Sequence, residues 1–101
     1  MKVKILILSD IHSQNITLLN ILHSAKNLKK PPTHCLIAGD ITNFGTIADM
    51  DQILNTVNDY FKNVFFVIGN CDPYARNEEF ETKAINVESK IQEIEFFKII
   101  G

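Results

Sequence analysis

Three short apolar runs, Val3 to Leu8, Cys35 to Ala38 and Val64 to Ile68, each give way to polar residues, and Asp10, Asp40 and Asn70 follow them thirty positions apart. The runs are rich in β-branched and aromatic side chains and are bounded by polar residues or glycine, which marks them as buried strands. A βαβ unit takes roughly 30 residues or more, so this period fits two crossover helices joining three parallel strands. Parallel strands end at the same edge of their sheet, and open α/β sheets bind ligands outside those carboxyl ends. Asp10, His12, Asp40 and Asn70 are therefore expected to converge there.

The segments between the runs carry helix signals. Asn15 can serve as N-cap, Leu18, Leu22, Ala25 and Leu28 follow at helical spacing, and Lys26, Lys29 and Lys30 complement the negative end of the helix dipole. Pro31 and Pro32 stop that helix and lead into the second strand. Gly39 permits a sharp turn after Ala38, and Thr46 can cap a second helix. Its apolar stripe is Met50, Ile53, Leu54, Val57, Tyr60 and Phe61, with Asp51, Gln52, Asn55, Asn58 and Asp59 on the wet face. Pro73 to Lys83 reads as a polar loop or short helix, with Glu78, Glu79 and Glu81 in solvent. From Ala84 the period shifts toward two, through Ile85, Val87, Ile91, Ile94 and Phe96 to Ile100, which predicts two or three short strands. The fold class is α/β, a βαβαβ parallel sheet followed by hairpin-like strands.

A chain of 101 residues, 46% hydrophobic and 22% charged, fits one small folded domain over 1–101. The net charge of −2 offers no general attraction to nucleic acid or to an anionic membrane, although a local basic patch is compatible with it. The apolar N-terminal run is too short to span a membrane and lacks a cleavage pattern, so the expected location is cytoplasmic. Cys35 and Cys71 form no CxxC pair and read as reduced thiols. No GxGxxG or GxxxxGK[ST] appears, which removes support for a dinucleotide-binding protein.

Carboxylate oxygen and imidazole nitrogen together suit Mn, Fe, Zn or Co better than Ca or Cu(I). Two such ions about 3.5–4 Å apart can activate a shared water, align it with a phosphorus atom and neutralise charge on the leaving oxygen. One aspartate after a strand is more often a cap or turn residue. The weight lies in three strand ends taken together, with His12 and Asn70 included. Without metal, the carboxylates of Asp10 and Asp40 are expected to repel and to raise the pKa of one of them.

The motifs Asp10-Ile11-His12, Gly39-Asp40 and Gly69-Asn70-Cys71-Asp72 resemble those of the calcineurin-like metallophosphoesterases, in that family's order and each after a strand. The resemblance implies the N-terminal part of a metallophosphoesterase β-sandwich flanked by helices. It further implies that Asp10 and His12 hold one metal ion, that Asp40 bridges two, and that Asn70 binds the second. The implied activity is metal-dependent hydrolysis of a phosphomonoester or phosphodiester, with a small phosphate ester or a nucleic acid end as substrate; the donor chemistry puts manganese among the suitable ions, and the charge and short apolar run predict no membrane partner.

Two departures from the family pattern stand out. Cys71 occupies the position where the family often carries a histidine, and a thiol with an ordinary pKa near 8.5 is a poor proton shuttle at neutral pH, so Cys71 reads as inert packing. The family also completes its site with a further histidine and a Gly-His-x-His stretch, which these residues lack. His34 falls toward the opposite edge of the sheet, and His23 lies about 12 Å along the first helix from the site, where it caps or meets solvent. The expectation is an incomplete centre, supplemented by a missing C-terminal segment or a homo-oligomer. The alternative is a non-catalytic protein-binding module of the same fold.

Overall fold

The computed structural model describes residues 4–73, 79–94 and 97–101. Val3, Glu78 and Phe96, assigned above to a strand, a solvated face and a strand, lie outside the described residues. The elements in chain order are β1 (Ile5–Leu8), α1 (Asn15–Lys26), β2 (His34–Ile37), α2 (Ile47–Tyr60), β3 (Asn63–Phe66), β4 (Ile85–Asn86), β5 (Ile91–Ile94) and β6 (Phe97–Ile100). The first four strands form one parallel sheet in the order β1-β2-β3-β4, alternating with the helices, while β5 and β6 pair antiparallel. Leu8 stands beside Ile37, and Ile37 beside Phe66, so β1, β2 and β3 end level with one another. That shared edge is where the sequence places the candidate ligands.

Strand alternation sorts the side chains into two faces. Leu6, Leu8, Cys35, Ile37, Val64 and Phe66 pack under the helices with Leu18, Leu22, Met50, Leu54 and Val57. Fully burying an aliphatic side chain of this kind contributes about 1.5–3 kcal/mol, so this layer holds the sheet edge in place. Phe65, Leu36 and Val67 face the other way, where Val87 and the hairpin residues Ile94 and Ile99 cover them in part.

The structure refines the sequence reading at several points. Thr46 caps α2 in a capping box: the Asp49 amide donates to the Thr46 hydroxyl at 3.2 Å and the Thr46 amide donates to the Asp49 carboxylate at 2.9 Å. Asn15 is instead the first helical residue, with Gln14 at the cap position and no side-chain cap bond. Leu28 is 52% exposed, because α1 ends at Lys26 and the 3.6-residue period no longer carries it to the core. Strand β3 stops at Phe66, although the Val67 amide still reaches the Ile37 carbonyl at 3.1 Å. Strand β4 joins the parallel sheet rather than a hairpin.

Asp51 is the clearest departure. Placed above on the wet face, it is only 9% exposed and accepts the amides of Glu81 at 3.0 Å and Thr82 at 3.2 Å. The segment leading to β4 packs over α2 and converts a surface position into an anchor. Among the described residues, no helix is long and apolar enough to cross a membrane.

Candidate metal centre

The loop after β1 and the loop after β2 continue the sheet's pairing beyond the strands. The amides of Asp10, His12 and Ser13 donate to the carbonyls of Gly39, Asp40 and Ile41 at 3.3, 3.0 and 3.1 Å. To make these bonds the chain adopts left-handed backbone at Asp10 (φ 55°), His12 (φ 46°), Ser13 (φ 60°) and Asp40 (φ 52°), besides Gly39 (φ 95°). Each non-glycine residue held there costs of order 1–3 kcal/mol, and such residues concentrate at functional sites. Here three of them are candidate ligands.

One ligand atom from each of Asp10, His12 and Asp40 lies within 4.8 Å of the others. His12 Nε2 stands 3.6 Å from Asp10 Oδ1, too far for a hydrogen bond. With coordination bonds of about 2.0–2.2 Å, two ligand atoms on one ion are separated by at most about 4.4 Å, so this trio needs only a small contraction. His12 Nδ1 is buried and has no hydrogen-bond partner among the described residues. The ring nitrogen that faces the Asp10 carboxylate is the other one, Nε2, and an imidazole nitrogen with two carboxylates is a donor set that fits a divalent ion of the Mn, Fe, Co or Zn type.

Asp40 is the most constrained of the three. Its carboxylate accepts the Cys71 amide at 2.9 Å, and this bond, with smaller help from Asp10, His12 and the Asn70 amide, lowers its pKa from the ordinary 3.8 despite an opposing desolvation effect. The expected repulsion between Asp10 and Asp40 does not raise the pKa of Asp40: Asp10 acts on it through a side-chain hydrogen bond that also favours the charged form.

Asn70 lies at the same edge, exposed, in a turn closed by the Asp72 amide donating to the Gly69 carbonyl at 3.2 Å. Gly69 is required by close approach: a Cβ there would overlap the backbone nitrogen and carboxylate of Asp40. Gly39 faces it, with only 3.0 Å between an added Cβ and the Gly69 Cα. The two glycines let the β2 and β3 loops touch at the site.

Asp72 was not singled out as a working residue above, yet it organises this edge. Its Oδ2 accepts the amides of Ile41 at 3.1 Å and Gly69 at 2.9 Å, and its Oδ1 accepts the Thr42 amide at 2.7 Å. The Thr42 hydroxyl is shared between Asp72 Oδ1 at 3.2 Å and the Cys71 carbonyl at 3.0 Å. The available signal was an acidic residue two positions past Asn70 in a turn-forming stretch, where a carboxylate can satisfy loop amides.

The remaining candidates fall away from the centre. Cys71 is half-buried, and desolvation, reinforced by Asp40, Asp72 and Asp10, pushes its thiol up from its ordinary value, so it stays a neutral thiol at neutral pH. His34 opens β2 at the opposite edge, with Nδ1 2.7 Å from the Thr33 hydroxyl. His23 is exposed, as expected, and its ring lies edge-on to Tyr60 with centroids 6.0 Å apart.

Comparison with known proteins agrees with this geometry. An uncharacterized protein of Methanocaldococcus jannaschii, MJ1162, is 32% identical over 66 residues, a match covering 65% of this chain and 30% of that protein. No solved structure matches the chain. The model of the calcineurin-like phosphoesterases matches residues 3–101, and with its motifs gathered at one edge of a parallel sheet the chain belongs to that metal-dependent family of hydrolases.

Proposed function

We propose that the chain is a metal-dependent phosphoesterase in which Asp10, His12 and Asp40 hold one divalent ion and Asn70, with Asp40, contributes to a second. The cluster of the first three at the carboxyl edge of the sheet carries this reading. When bound, such ions supply a nucleophilic water at neutral pH and polarise a phosphoryl oxygen. The protein's part is to hold two carboxylates and an imidazole together on strained loops, with Asp40 kept ionised by the Cys71 amide. Cys71 is no effective proton donor to a leaving group, since its thiol is pushed up rather than down.

On this reading the first ion finds three ligands and the second two, one of them shared. Further ligands then come from polypeptide outside these residues or from another copy. Phosphomonoesters and phosphodiesters both suit the centre, and manganese is the first ion to try. The two free thiols, Cys35 buried and Cys71 half-buried, accord with a reducing, cytoplasmic setting.

Calorimetric titration with Mn is expected to show one well-occupied ion per chain, lost in Asp40→Ala and weakened in Asp10→Asn. Hydrolysis should be slow, should require the ion, and should be fastest on nitrophenyl phosphodiesters, whose leaving group needs no proton. Metal binding that survives both substitutions would exclude this centre. Two tight ions per chain would mean that a ligand outside this set completes it.

A further inference from the structure

The sheet edge opposite the metal cluster is strongly basic. Lys4 precedes β1, Lys26, Lys29 and Lys30 close α1 and its exit, and Lys62 joins α2 to β3, so the parallel topology brings five of the ten basic residues to one edge. All five are exposed, and none makes an ion pair with a described residue. Their side chains have local supports instead: Lys4 Nζ donates to the Lys30 carbonyl at 2.7 Å, and Lys26 Nζ lies 5.3 Å from the centre of the Phe61 ring. Complementing two helix C-termini accounts for some of this charge, but not for Lys4.

Two of these lysines, Lys26 and Lys62, line a groove of about 560 Å³ with Thr33, Asn58, Tyr60 and Asn63 among others; Lys30 directly precedes its Pro31, and Asp59 is its one carboxylate among the described residues. Asn58 Nδ2 donates to the Phe61 carbonyl at 3.4 Å, which leaves Oδ1 buried and without a partner among the described residues. Turning that amide outward lets Oδ1 accept a hydrogen bond from a ligand. A phosphodiester has no donor to offer, whereas a sugar hydroxyl or a base amino group does.

We propose that this groove binds a single-stranded nucleic acid, with Lys26, Lys30 and Lys62 on its phosphates and Asn58 and Tyr60 beside its sugars or bases. Lysines along a groove with an aromatic side chain and amide groups between them are the combination that suits a single strand. A lipid surface is the poorer fit, because the groove is concave and, among the described residues, Leu28 is the lone large apolar side chain exposed near these lysines. The inference is independent of the metal centre, since it concerns the other ends of β1, β2 and β3.

The test is fluorescence anisotropy of a labelled single strand of about 20 nucleotides, without added metal and with Asp10→Asn protein, so that occupancy of the metal centre cannot mimic the result. Two variants and a salt series separate location from charge. Lys26→Gln/Lys30→Gln/Lys62→Gln removes three charges in or beside the groove. Lys83→Gln/Lys90→Gln/Lys98→Gln removes as many elsewhere, all six being exposed. The salt series uses the unaltered chain.

Binding at about 50 mM salt is expected to weaken at least tenfold in the groove triple and little in the control triple. With about 0.7 counterion released per phosphate contact on a single strand, the groove triple should also flatten the slope of log K against log salt by about 2. No binding at low salt would overturn the proposal, as would equal losses in the two triples. Lysine-dependent capture by anionic phospholipid vesicles, with none by the oligonucleotide, would overturn it in favour of a membrane surface.

Discussion

Replacing Asp72 tests whether this edge is held by one carboxylate. Each of its oxygens serves two donors: Oδ2 takes the Ile41 and Gly69 amides, and Oδ1 takes the Thr42 amide and hydroxyl. Thr42 and Ile41 are fully buried, so water cannot replace the lost acceptor for their amides. A hydrogen bond to a charged group contributes about 1.5–3 kcal/mol, and a stranded buried donor costs about 1–3 kcal/mol. These terms are not additive, because the four donors share one side chain. Asp72→Ala is therefore expected to lose about 3–5 kcal/mol, a large part of the roughly 5–15 kcal/mol that a domain of this kind possesses. Asp72→Asn is no rescue. Its amide nitrogen must face either the Ile41 and Gly69 N–H groups or that of Thr42, so donor meets donor in both orientations. Urea unfolding followed by circular dichroism gives the loss, and a melting point about 15 °C lower is its thermal counterpart. An alanine variant less than about 1 kcal/mol below the parent, with an unchanged urea slope, would refute the claim that Asp72 ties the β2 and β3 loops together.

Gly69→Ala places a methyl group against the Asp40 nitrogen and carboxylate, so metal affinity should fall at least tenfold while the circular dichroism spectrum persists; unchanged calorimetric binding would show that the loops yield at no cost. In the apo chain, Asp40 should titrate below its ordinary 3.8, because the Cys71 amide favours the ionised form. The sign follows from the lowered folded value: this contribution to stability is present above about pH 4 and is lost as pH falls through the folded pKa. Carbon-detected NMR placing the Asp40 midpoint above 3.8 would contradict this assignment. Asp51→Ala removes the acceptor for the Glu81 and Thr82 amides and should cost about 2 kcal/mol, with amide exchange at those two residues speeding first; exchange unchanged there would remove the anchoring role.

The sheet was legible because β-branched and aromatic runs at a thirty-residue period leave a parallel βαβαβ chain little alternative, and α2 was legible because Thr46, Asp49 and the Met50 to Phe61 stripe agree with one another. Asp10, His12 and Asp40 followed from the strands, since three strands that end level put their next residues together. What failed depended on contacts distant in sequence. Asp51 sits at a wet position of its own helix, and only the return of residues 81 and 82 buries it. Gly69 resembles Gly39 in sequence, but Gly39 answers a positive φ and Gly69 the nearness of Asp40. Leu28 was misplaced by one turn, because the helix stopped before the period did.

The backbone at Asp10, His12 and Asp40 shows how the centre can stand before a metal arrives. Each of the three carries left-handed strain, and an aspartate or histidine there would relax if its loop were alone. None of the loops is alone. The β1 loop is bonded to the β2 loop through the Asp10, His12 and Ser13 amides, and the β2 loop to the β3 loop through Cys71 on Asp40 and Asp72 on Ile41 and Thr42. Relaxing any one strained residue would break bonds in a neighbour, so the strain is retained by the network. An ion binding here meets ligands already near their places and spends little of its binding energy on ordering loops. The same network makes Asp72 as necessary to the centre as the side chains that would touch the ion.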